Sequence, residues 1–110
     1  MNFSETNDTL HCSFTERLDG VVCSTIESEL SRRATTFKNG RENSRLIFDL
    51  RNVIFISSAF LRLCLMHYKA FGKNGFSITN VSEEIHKVFH ISGFAEIMHV
   101  TRADQAPELA

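Results

Sequence analysis

The amino-acid sequence predicts a small α/β domain: four or five strands in a mostly parallel mixed sheet, with three or four helices packed mainly on one face. Three observations predict it. Segments 9–18 and 76–81 alternate apolar and polar residues, the period of a half-buried strand. Leu46-Ile47-Phe48-Asp49-Leu50 is a nearly continuous apolar run, as in a central strand covered on both faces. Stretches of helical spacing separate these segments, and strands alternating with helices need crossovers, hence parallel neighbours.

In chain order, the polar start Met1 to Asp8 is expected to be frayed or a weak edge strand. From Thr9 to Leu18, Leu10, Cys12 and Phe14 face one way and His11, Ser13 and Thr15 the other. Leu18-Asp19-Gly20 supplies turn chemistry, and Asp19 can cap a helix starting there. Val22, Ile26, Leu30 and Ala34 then recur at spacing four, with charges on the other faces, which predicts an amphipathic helix over Val21 to Phe37. A polar loop comes next, in which Gly40 suits the end of a helix.

After the apolar run a short polar turn is expected, and Asn52 to Ile56 brings the chain to Ser57 and Ser58. The segment Ala59 to Phe71 is apolar almost all round. It predicts a helix lying deep against the sheet, with Arg62, His67 and Lys69 reaching out and Gly72 and Gly75 marking its end. Phe76 to Val81 is the next strand. Ser82 caps a helix whose first turn carries Glu83 and Glu84, with Ile85, Val88 and Phe89 inward and Gly93 closing it. Phe94 to Val100 predicts one helical turn and a closing strand at Met98 to Thr101, and the tail from Arg102 onward is expected to be loose.

Composition narrows the function. One domain over residues 1–110 with one modest core is expected from a chain of 110 residues with 43% apolar content and ten Phe. A formal net charge of −1 argues against a nucleic-acid or anionic-membrane partner, either of which favours an excess of Lys and Arg. The longest apolar candidate for a membrane span is interrupted by Arg62, His67 and Lys69. The first ten residues lack the apolar centre of a signal peptide. Cys12, Cys23 and Cys64 are odd in number and far apart, and read as reduced core thiols of a cytoplasmic protein.

The stretch LIFDLRNVIFISSAFLRLCLMHYK resembles the STAS domain, the fold of anti-sigma factor antagonists. The family pattern there is a hydrophobic strand ending Asp-Leu, a short loop, a hydrophobic pair, then Asp-Ser-Ser/Thr-Gly-Leu opening a helix. Phe14 to Asp19, Lys73-Asn74-Gly75, Asn80-Val81-Ser82 and Val88 to Phe94 match further family segments in the right order, so that the resemblance covers roughly residues 9 to 101. It implies a protein that binds an anti-sigma factor of the serine-kinase type and is switched off when that kinase phosphorylates it. Ser58 falls on the acceptor serine, with Ser57 the alternative. The ATP belongs to the kinase, so no cofactor is implied for this chain. The implied docking face comprises Asp19, Gly20, Ser57, Ser58, Phe60 and Arg62. Two residues depart from the pattern: Ser57 stands where the family has Asp, and Phe60 where it has Gly. These departures favour an alternative, a STAS scaffold or subunit of a signalling or transport assembly that is not phosphorylated.

Each candidate also has a structural explanation. Ser57 or Ser58 can be a helix N-cap, contributing about 1 kcal/mol. Phe60 can be a core ring or an exposed anchor. His86 and His90 sit four apart on one helix, the spacing for two metal ligands, yet the zincin Glu and a third ligand are missing nearby. A small metal- or ligand-binding protein is therefore a further alternative, although no metal site is expected. Asp19, Glu83 and Glu84 are accounted for as caps and dipole partners, and Asp49 as the end of a strand. Cys64, mid-helix on a buried segment, is a poor site for a reactive thiolate. An enzyme is not expected.

Overall fold

The computed structural model describes residues 1–103. Its elements are β1 (Asn2–Thr6), β2 (Thr9–Leu18), α1 (Gly20–Lys38), β3 (Arg45–Ile56), α2 (Ser58–Phe71), β4 (Phe76–Val81), α3 (Glu83–Ile91), α4 (Phe94–Ile97) and β5 (His99–Arg102). The sheet order is β1-β2-β3-β4-β5. β1 runs antiparallel to β2, and the other pairs are parallel. The result is the mixed, largely parallel α/β sheet expected from the alternation of elements.

Period two decides which residues build the core. Leu10, Cys12 and Phe14 of β2, Leu46, Phe48 and Leu50 of β3, and Phe76 and Ile78 of β4 are all sealed. They share one cluster with Leu30, Ala34 and Phe37 of α1, Phe60, Leu63 and Cys64 of α2, and Ile85 and Phe89 of α3. Its centre is aromatic. The Phe48 ring stands edge-on to Phe14 at 5.0 Å and to Phe76 at 4.9 Å, and Phe60 closes the group at 5.3 Å from Phe14. Such edge-to-face pairs add about 0.5–1.5 kcal/mol each beyond the area they bury.

Of the two states expected for the polar start, the edge strand is the one formed: β1 joins β2 by a two-residue turn in which Asn7 takes a left-handed φ of 51°. Several other expectations are corrected. β3 is covered on one face only: Ile47 and Asp49 stay half-buried between its sealed residues. The polar turn expected before Ser57 is absent, because Asn52, Val53, Phe55 and Ile56 continue the pairing with β2. Asp49 is accordingly mid-strand, where its carboxylate accepts from the Arg51 N–H and the Asn80 amide. His67 does not reach out; it is buried. Val88 is 38% exposed, since Ile85 and Phe89 already fill the inner face of the short α3. Arg102 belongs to β5, while the rest of the tail expected to be loose, from 104 on, lies outside the described residues.

Glycine matters most where α2 ends. At Gly75 a Cβ would meet the Phe71 carbonyl oxygen at 2.2 Å, so only glycine lets the chain fold back at once into β4.

Candidate functional site

β2 and β3 run in parallel to a common end, with Leu18 opposite Ile56. β3 leaves β4 much earlier, since their last pair is Asp49 with Thr79. Beyond that point β3 is partnered by β2 alone. The ribbon carries two register shifts, and Glu16 within it has a left-handed φ of 62°. Irregularities of this kind bend and twist a strand pair.

Both strands then turn directly into helices, and the Leu18 carbonyl ties the two turns together. It accepts the Ser57 N–H at 3.0 Å and the Ser57 hydroxyl at 2.8 Å. The Cys23 thiol of α1 approaches the same oxygen at 3.7 Å. Asp19 caps α1 by accepting the Val22 N–H at 2.9 Å, and Ser57 caps α2 by accepting the Phe60 N–H at 3.4 Å. The positive ends of α1 and α2 are thereby held beside each other.

This geometry separates the two serines. Ser57 is half-buried and its hydroxyl is occupied twice, as donor to Leu18 and as acceptor from Phe60. Ser58 is the first residue of α2 and is exposed. Arg62, also exposed, lies four residues on, the spacing that places two side chains on one helix face. Asp19 and Gly20 stand at the neighbouring helix start, Gly20 exposed and with nothing within 4 Å of where a Cβ would sit.

Phe60 must be taken off the docking face. It is 0% exposed and packs against Phe14 and Phe48, so its ring cannot contact a partner without unfolding α2. The family's Gly position has become a core position here.

Sequence reasoning missed three apolar side chains at this end. Val21 is 77% exposed, Ile54 72% and Phe55 39%, and the Arg17 guanidinium lies 4.4 Å from the centre of the Phe55 ring. The sequence held no signal for the β3 pair: in the apolar run Val53-Ile54-Phe55-Ile56 only Val53 and Ile56 are sealed, because the strand's register is irregular there. Val21 falls off the stripe that α1 buries. These three exposed apolar side chains lie at the end of the molecule where Ser58 opens α2.

The remaining candidates stay apart from this end. His86 is half-buried and His90 exposed on α3, and among the described residues no group of three His, Cys, Asp or Glu is placed to hold a metal ion. Glu83 and Glu84 occupy the first turn of α3, which Ser82 caps at 3.2 Å. All three cysteines are free and buried. Burial pushes the Cys12 thiol up to about 12 and Cys64 well above its ordinary value, which suppresses the thiolate of both. No helix among the described residues is long and apolar enough to cross a membrane.

In comparison with known families, the model described as the STAS domain aligns with residues 2–105. No curated protein matches the chain significantly.

Proposed function

The chain belongs to the STAS domain family, and from that premise we propose that it is an anti-sigma factor antagonist, switched off by phosphorylation of Ser58. Its partner is an anti-sigma factor that is also a serine kinase; binding this partner frees the sigma factor. The setting of such a switch is the bacterial cytoplasm. The observation that carries the reading is the division of labour between the two serines. Phosphorylating Ser57 would replace the proton that its hydroxyl gives to Leu18 and disturb both helix starts. Ser58 has no such duty and faces solvent.

The physics of the switch lies in the site. A phosphate adds about −1.5 to −2 charge at pH 7. At the first residue of α2 that charge meets the positive end of the helix, and Arg62 is four residues away. The fold can hold it. A partner docked over Ser58, Val21, Ile54 and Phe55 must instead desolvate a dianion against apolar side chains, which costs several kcal/mol if it is unpaired. Phosphorylation thus leaves the domain folded and removes the contact.

The departures from the family pattern keep an unphosphorylated STAS scaffold in view. The test is phosphotransfer. The kinase captured from the source cell is incubated with ATP and the chain, and the product is mapped by mass spectrometry. One phosphate on Ser58, lost in Ser58→Ala, is expected. A captured partner that leaves the chain at its original mass would favour the scaffold.

A further inference from the structure

A cleft of about 560 Å³ lies between the C-terminal halves of α1 and α2, lined among others by Ala34, Thr35, Lys38, Met66, His67 and Phe71. Its volume falls within the range of about 300–1,000 Å³ typical of small-molecule sites. It stands at the opposite end of α2 from Ser58. The helix has 14 residues, about 20 Å at roughly 1.5 Å per residue.

His67 gives the cleft its chemistry. The side chain is buried, with 4% relative exposure, and Nδ1 lies 2.8 Å from the Leu63 carbonyl oxygen. A carbonyl only accepts, so Nδ1 carries the hydrogen. Burial lowers the pKa of the ring, which is therefore neutral near pH 7 with Nε2 as a bare acceptor. Nε2 has no hydrogen-bond partner among the described residues. Solvent reaches Nε2, so a ligand donor there replaces a water and contributes the net worth of about one neutral hydrogen bond.

The surroundings narrow what can supply the donor. Ala34, Met66 and Phe71 offer apolar walls, and Met adapts its shape readily. Both helices end here, and the negative ends of their dipoles disfavour an anion. The Lys38 ammonium disfavours a cation, and it is itself engaged by the Ala70 carbonyl and the face of Phe71. We propose that this cleft binds a small, neutral, mostly apolar molecule whose hydroxyl donates to Nε2 of His67. The site does not depend on the Ser58 switch.

The experiment titrates the full chain with phenol, using toluene as the probe of equal shape that lacks the donor. Nitrogen-detected NMR should show the His67 Nε2 resonance moving together with the amides of Thr35 and Met66. Wild type should prefer phenol over toluene by about fivefold, the worth of roughly one neutral hydrogen bond. His67→Phe should erase the preference. Ala70→Trp, a change on the exposed rim, should abolish binding of both probes and serves if the core variant does not fold. Equal affinity for the two probes, shifts that avoid the cleft, or unchanged binding in Ala70→Trp would overturn the proposal.

Discussion

At its N-terminal end α2 leaves Ser58 in solvent beside the start of α1, whereas toward its C-terminal end it seals His67 against Phe48 at 5.6 Å between ring centres. One helix thus treats two polar side chains in opposite ways. The exposed hydroxyl can change its charge at little cost to the fold, because water and the helix dipole remain available to it. The buried imidazole has its proton count chosen by the fold, because desolvation penalises the charged form. The comparison separates a place where chemistry can be added from one where a ligand must fit what is already there.

The boundary between the two regimes lies only two residues beyond Ser58. Phe60→Ala should destabilise the domain by about 3–5 kcal/mol in urea unfolding, as the loss of a sealed ring does. A loss near zero would mean that the aromatic centre does not extend to the start of α2. Ser57→Ala should lose about 1–2 kcal/mol, because it removes both the cap and the bond to Leu18. Ser58→Ala should stay within roughly 0.5 kcal/mol of wild type, and equal costs for the two serines would erase the distinction drawn between them.

His67 sharpens the other end through pH. Its pKa is lower folded than unfolded, so the unfolded chain binds more protons below the ordinary His value. The contribution of the neutral ring is fully present above that value and declines as pH falls through it. Unfolding free energy should therefore drop between pH 7.5 and 5, and His67→Phe should flatten the drop. The same slope in the variant would assign the dependence to other groups. The smallest effect belongs to Gly20→Ala. With open space at the Cβ position and a helical setting, stability should hold within about 0.5 kcal/mol or rise slightly. Any loss of partner binding in that variant then reports on the docking face.

Much of this was legible in the sequence. Alternation in β2 and β4 identified strands and their inner faces, and the residues around Ser57 and Ser58 pointed to the start of α2. What the chain alone could not divide was the serine pair: either hydroxyl can cap, and the Leu18 carbonyl that engages Ser57 lies 39 residues away in sequence. Phe60 was left open, and His67 was wrongly placed outward, for a related reason. On a helix apolar nearly all round, periodicity does not say which residues face the sheet. Ile54 and Phe55 were hidden by the irregular register of β3, which breaks period two and turns apolar residues outward.

The most direct measurement is partner capture by Ser58→Asp at a temperature where its thermal unfolding matches wild type. The account predicts a fully folded protein, slightly stabilised by charge at the helix start, that no longer binds the anti-sigma kinase. A folded Ser58→Asp protein that captures the partner as tightly as wild type would contradict it.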